Sequence, residues 1–250
     1  MNRIYTLFLF ALVGGLPFSA QAQMFSAESG IQALLVPARH AVLSSRIGEM
    51  VASVSVENGD SFAAGDVLLR FDCAYQEADL RAALAQAKAA EQAVKANRKL
   101  KKLDSISEME LMRSEADLDG SKADVAKKQA IVTRCTIAAP FDGRILMRDI
   151  QPFETVDPGR ALLEIASNDP LRARFLAPAS WLSWMQKGTP VSLLPDGTTD
   201  SYKGEIIKIG GGVDDVSQSV EVTAVLTDMH AALRPGMSAR ITFPAVGEEE

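Results

Sequence analysis

The chain has 250 residues, 47% of them apolar but only 6% aromatic, and a formal net charge of −6. That length accommodates one large domain or two to three small ones. Mild acidity without a basic patch gives no reason to expect a nucleic-acid partner, and the Ala-rich middle third points to an elongated molecule with helices packed through small side chains.

Arg3 in a short polar start, an apolar run from Leu7 to Phe18 and the small-x-small site Ala20-Gln21-Ala22 read as a cleaved signal peptide over residues 1–22. The run is interrupted by Gly14, Gly15 and Pro17 and is shorter than the ~20 residues a bilayer span needs. No Cys precedes Cys73, so a lipidated N-terminal cysteine is not expected. Residues 23–39 follow as an N-terminal segment without an assigned element.

An internal repeat comes next. Gly48 to Phe71 and Gly143 to Ile165 share one layout: a Gly, a short alternating strand, a turn (Asn58-Gly59-Asp60 or Gln151-Pro152-Phe153), a second Gly (Gly65, Gly159) and a Leu-Leu strand (Leu68-Leu69, Leu162-Leu163). One such half cannot bury its own apolar face, so two related by a pseudo-twofold axis are expected to close into a β-sandwich over residues 40–72 and 134–167.

Between the copies, residues 73–133 are rich in Ala, Glu, Lys and Gln, with no Pro and a single Gly, Gly120. Leu80, Ala83, Ala87, Ala90 and Val94 follow a three-four spacing continued by Asn97 and Lys101, while Leu111, Leu118, Val125 and Val132 recur every seven residues. This predicts an antiparallel coiled-coil hairpin. Asp72 is the expected cap of its first helix, and two overlapping capping boxes, Ser105 with Glu108 and Ser107 with Glu110, put the tip near Asp104 to Ser107. Cys73 and Cys135 fall at the hairpin base, where a disulfide or two buried free thiols both fit. A metal site is disfavoured, because His40 and His230 are remote in sequence and no C-x-x-C occurs.

Residues 168–244 change pattern again. Leu171 to Leu176, Pro190 to Leu194, Lys203 to Ile209, Val220 to Leu226 and Ala239 to Phe243 read as strands of a small β-barrel, with a short helix at Ser180 to Gln186 whose Trp181 and Trp184 read as core packing ahead of an exposed contact surface. Residues 245–250 are an acidic tail.

Three motifs carry a family resemblance: Ser55-Val56-Glu57-Asn58-Gly59-Asp60 with Gly65-Asp66-Val67-Leu68-Leu69, Cys135 to Ile145 containing Ala139-Pro140-Phe141-Asp142-Gly143, and Leu233-Arg234-Pro235-Gly236-Met237. On these the chain resembles periplasmic adaptor, or membrane fusion, proteins of the HlyD type over residues 35 to 244. The resemblance implies a split lipoyl/biotinyl-like β-sandwich with an inserted coiled coil, followed by the barrel. It also implies a periplasmic protein peripheral to the inner membrane that bridges an inner-membrane transporter and a TolC-like outer-membrane channel as a homo-oligomer. Family members of the drug-efflux type place an Arg, a Leu and a Ser at the hairpin tip. The matching residues are Arg98, Leu103 and Ser107, with Ser105 beside them, although Ser107 also reads as an N-cap and Arg98 as a solvated helix residue. Many such adaptors fold both chain ends into a fourth, membrane-proximal domain, which this chain is not expected to form.

Other function classes fare worse. Catalysis lacks a G-x-S-x-G motif, Gly210-Gly211-Gly212 is not followed by the Lys-Ser/Thr of a phosphate loop, and the adjacent acids Asp214 and Asp215 read as turn residues. A lipoyl or biotin carrier needs a modifiable lysine on the turn that the helices replace, so no cofactor is expected. An exported binding protein that delivers a metal or small molecule to a pump is the alternative. Its only close methionine pair, Met109 and Met112, reads as helix packing.

Overall fold

The computed structural model describes residues 30–227 and 233–243; the expected signal peptide, the acidic tail and His230 lie outside them. In chain order the elements are β1 (Ile31–Val36), β2 (His40–Ser44), β3 (Val51–Val54), β4 (Ser61–Phe62), β5 (Val67–Phe71), helices α1 (Ala74–Lys102) and α2 (Glu108–Val132), then β6 (Thr136–Ala138), β7 (Gly143–Arg148) and β8 (Ala161–Ser167). Five further strands follow: β9 (Arg172–Pro178), β10 (Pro190–Pro195), β11 (Tyr202–Ile209), β12 (Ser219–Leu226) and β13 (Ser238–Thr242).

Each copy of the repeat forms a hairpin, β3 with β5 and β7 with β8. The sheets they build, β3-β5-β6 and β2-β8-β7-β4, cover one core in which Val51, Leu68, Leu69, Leu162 and Ile165 are buried. The hydrogen bonds repeat at an offset of 94 residues (59 to 153). Ser55 N–H to Leu68 O is matched by Asp149 N–H to Leu162 O, and Gly65 N–H to Ala139 O by Gly159 N–H to Ser45 O. The bonds exchanged between halves include Gly59 N–H to Ile145 O at 2.9 Å and Phe153 N–H to Val51 O at 2.7 Å. Each half therefore closes the other, which is why neither could bury its face alone. Gly143 is fixed by crowding, since a Cβ there would lie 2.2 Å from the Ala166 carbonyl oxygen.

The two helices run antiparallel, as their cross-pairs demand: Asp79 with Lys128, Arg98 with Glu115, and Lys101 with Glu108. The seam follows the sequence periodicity. Leu80, Ala83, Ala87, Ala90, Val94, Asn97 and Lys101 are all withdrawn from solvent on α1, as are Leu111, Leu118, Val125 and Val132 on α2. Small Ala83, Ala87 and Ala90 on α1 share this seam with the larger Leu111, Leu118, Val125 and Val132 on α2. At ~1.5 Å per residue, the 29 residues of α1 project about 43 Å. The residue that caps α1 is Cys73, not Asp72, and it makes no side-chain capping bond. Asp72 Oδ1 instead accepts a long 3.3 Å bond from Ala74 N–H, because Cys73 is held in the core of the two sheets.

The remaining strands close a barrel in the order β1-β13-β10-β11-β12-β9. Its core gathers Leu35, Phe175, Leu193, Ile206, Val222 and Ile241. The sixth strand comes from the N-terminal segment that the sequence left unassigned: β1 pairs with β13 on one side and β9 on the other. Five strands from residues 168–244 alone would leave two open edges, and β1 removes both. The expected helix near Ser180 is a 3-10 turn, Ala179–Ser183, ended where Trp184 leaves helical geometry at φ −128°. Trp181 packs on the barrel core and Trp184 is 44% exposed, both with ring centroids 5.2 Å from that of Phe243.

Candidate docking surface at the hairpin tip

The base of the hairpin is tied to the two-sheet core. Cys73 and Cys135 are joined in a disulfide with Cα atoms 6.1 Å apart, bridging the start of α1 and the strand entry after α2. Both cysteines are buried. Gln76 on the first turn of α1 donates to Glu49, and Asp72 N–H donates to Met50 O at 2.8 Å. Farther along, the Asp79 carboxylate beside the Lys128 ammonium holds that amine above its ordinary range.

At the far end the chain reverses in five residues. α1 stops because Asp104 adopts a left-handed conformation (φ 50°), so that Asp104 N–H reaches Lys101 O and Ser105 N–H reaches Leu100 O, both at 3.0 Å. This is the paired-carbonyl ending that helices usually form with Gly at the left-handed position. Lys99, Lys101 and Lys102 in the last turn offset the negative end of the helix dipole. α2 starts at Ser107, extended at ψ 160°, whose Oγ accepts from Glu110 N–H at 3.1 Å. Of the two overlapping capping positions, the helix uses Ser107. Ser105 Oγ is turned back to donate to Leu103 O.

The four tip residues expected from sequence thus have different surroundings. Arg98 donates through Nε and a terminal nitrogen to Glu115 Oε1, at 3.0 and 2.8 Å, bracing the two helices. Ser107 caps α2. Leu103 and Ser105 are exposed at the turn, Leu103 at 73%. Sequence reasoning missed Met109 and Met112. Residue type alone points to helix packing, yet Met109 is 80% exposed and Met112 is also exposed. The seam on α2 runs through Leu111 and Leu118, so residues two before and one after Leu111 face away from α1. That phase was the available signal. Leu103 at the turn, Met109 and Met112 at the start of α2 and Leu100 in the last turn of α1 are thus exposed apolar side chains at the tip end of a polar rod.

Chemistry is sparse elsewhere. Among the described residues no group of three or more His, Cys, Asp or Glu side chains could hold a metal ion, and no helix is long and apolar enough to cross a membrane. Asp214 Oδ1 accepts the Ser217 N–H at 2.8 Å, the Ser217 hydroxyl at 2.9 Å and the Val216 N–H at 3.2 Å. These bonds, Ser217's first, hold its carboxyl below the usual carboxylate range. A general acid near neutral pH needs the opposite shift, so Asp214 braces the β11–β12 turn.

A closed six-stranded barrel, a two-sheet core and an antiparallel helical hairpin make up the fold of the membrane fusion, or periplasmic adaptor, proteins, the class whose motifs the sequence resembles. Among solved structures the chain is similar to a MacA-MexA chimeric protein containing the Pseudomonas aeruginosa MexA alpha-hairpin domain, at TM-score 0.77 and 16% identity, over 84% of this chain and 78% of that one. It is also similar to the membrane fusion protein Spr0693 from Streptococcus pneumoniae R6, at TM-score 0.72 and 14% identity, over 86% of this chain and 97% of that one. By sequence it is 27% identical over 234 residues to the nodulation protein NolF of Rhizobium meliloti, which covers 88% of this chain and 64% of the relative. The chain spans 51% of a second curated relative's length, a Haemophilus influenzae protein. No family model matches the chain.

Proposed function

We propose that this protein is a non-enzymatic periplasmic adaptor subunit of a tripartite efflux or secretion system, linking an inner-membrane transporter to a TolC-like outer-membrane channel. The observation that carries the reading is the hairpin: a rod about 43 Å long, cross-linked at its base by Cys73–Cys135 and ending in exposed Leu103, Met109 and Met112. Exposed apolar side chains gathered in sequence at the end of a polar rod fit a protein-docking role. In this reading residues 1–22 are a cleaved signal that delivers the chain to the periplasm, peripheral to the inner membrane. Residues 40–72 and 134–167 are a split lipoyl-like domain, 73–133 a coiled-coil hairpin and 168–244, with β1, the barrel facing the transporter. Several copies surround the channel end with their hairpins, and Arg98, Leu103, Ser105 and Ser107 lie at or beside the contact. The adaptor fold of the structural neighbours supports this division.

The test is cross-linking in cells from a cysteine at Ser105 carrying a short photoreactive group. The reading predicts an adduct with an outer-membrane channel protein, lost when the cysteine is moved to exposed Lys203 on the barrel. A folded, abundant protein that yields no channel adduct from Ser105 counts against it.

A further inference from the structure

The two-sheet core has a joint on either side, and the joints are built differently. Toward the hairpin the connection is covalent, through Cys73–Cys135, and is reinforced by Gln76 with Glu49 and Asp72 with Met50. Toward the barrel the chain crosses twice, between β1 and β2 at residues 37–39 and between β8 and β9 at residues 168–171. No disulfide joins these crossings among the described residues.

One side chain gathers them. Arg39 Nε donates to Asp169 Oδ2 at 2.8 Å, from the first crossing to the second. The Arg39 backbone accepts from Ser167 N–H at 2.9 Å and donates to Ser167 Oγ at 3.2 Å. Its guanidinium carbon lies 4.8 Å from the centroid of the Phe141 ring, on the turn between β6 and β7. Arg39 therefore touches both crossings and the sheet core at once. The guanidinium holds the Asp169 carboxyl below its usual range, with help from Ser167. Beside this cluster the crossings do not lie flat on the barrel wall. An open groove of about 290 Å³ runs between Ala38, Arg39, Asp169 and Pro170 on the crossings and Arg172, Ile207 and Val225 on the barrel.

We propose that the molecule has one bending joint, between barrel and two-sheet core, and that Arg39 is its latch. The disulfide makes hairpin and core a single lever. The open groove leaves the two crossings room to shift against the barrel wall, and a two-strand connection moves unless something holds it. The Arg39–Asp169 pair is solvent-accessible, with side-chain exposures of 51% and 40%, so it can open and re-form without unfolding either body. Arg39 is suited to this because a planar guanidinium can pair with a carboxylate and stack on an aromatic ring together.

The experiment uses the full chain with two pairs of spin labels on engineered cysteines, the native pair being bonded. Ser61 with Ser105 reports core to tip, and Ser61 with Lys203 reports core to barrel. In the parent protein both distance distributions are narrow. Arg39→Ala is expected to broaden the core-to-barrel distribution about twofold and leave core-to-tip unchanged, with Arg39→Lys falling between. An Arg39→Ala distribution as narrow as the parent's overturns the proposal. So does equal broadening of both pairs, which would mean general loosening rather than a released joint. Tryptophan fluorescence from Trp181 and Trp184 verifies that the barrel is folded in each variant.

Discussion

Gly59 and Phe153 stand at the same point of the two repeat halves, and both backbones are left-handed, at φ 89° and 68°. Only one is glycine. A left-handed non-glycine residue costs ~1–2 kcal/mol, and Phe153, 76% exposed, recovers little of that by packing. Phe153→Gly should therefore stabilise the two-sheet core by about 1 kcal/mol, after allowing for the greater freedom of glycine in the unfolded chain. Gly59→Ala should destabilise it by a similar amount. Urea unfolding of the three proteins measures both.

The disulfide closes a loop with a sequence separation of 62. In the chain-entropy account this restricts the unfolded state by ~4 kcal/mol, and observed values are typically ~2–4. Cys73→Ser with Cys135→Ser should lower unfolding stability by about 3 kcal/mol. The parent protein should lose the same amount only when unfolded in reductant, because both sulfurs are buried in the native state.

Gly120 lies inside α2, and a Cβ there would meet nothing within 4 Å. Ala in its place should add about 1 kcal/mol to the hairpin's stability, seen as slower amide exchange across α2. Leu118, buried in the seam, gives the opposite result. Leu118→Ala should cost about 2–3 kcal/mol.

The tip should separate stability from contact. Leu103→Ala and Met109→Ala remove exposed side chains and should shift unfolding free energy by less than about 0.5 kcal/mol, while the Ser105 cross-link to a channel weakens. A loss of stability comparable to Leu118→Ala would mean that these residues pack within the hairpin instead.

Asp214 supplies the pH test. Its folded-state pKa is depressed by Ser217 and Val216, so its contribution is present above the unfolded carboxylate value and lost as pH falls through the folded one. The melting temperature of Asp214→Asn should lie below the parent's by a constant margin at neutral pH. That margin should close under acid conditions. A gap unchanged down to strongly acid pH would contradict the assignment.

Several features were legible because local chemistry decides them. The seam from Leu80 to Lys101 could be read from spacing alone, since withdrawal from water on a helix follows its period. The repeat was legible as two hairpins because its turns and Leu-Leu strands are local. The place of β1 was not: Ile31–Val36 closes a barrel with strands that begin at Arg172 and Ser238, and no neighbouring residue encodes that pairing. Phe153 hid its backbone conformation, because a phenylalanine gives no sign of a left-handed turn. At the tip, Ser105 and Ser107 offered the same capping pattern, and the left-handed Asp104 favours the later one by ending α1 before Ser105. Met109 and Met112 were misjudged by residue type when their phase against Leu111 pointed outward.

The pairing of β1 with β13 has a consequence for how the chain is threaded. The barrel's first strand is followed by the whole two-sheet core before its second strand appears, and that core is interrupted in turn by the helices. The modules are nested, each leaving and re-entering the one outside it through two adjacent points. Seven-residue units, about two helical turns each, could be added to or removed from both helices together without disturbing a residue of the core or the barrel. Reach is thus an adjustable dimension of this architecture, independent of the parts that hold it.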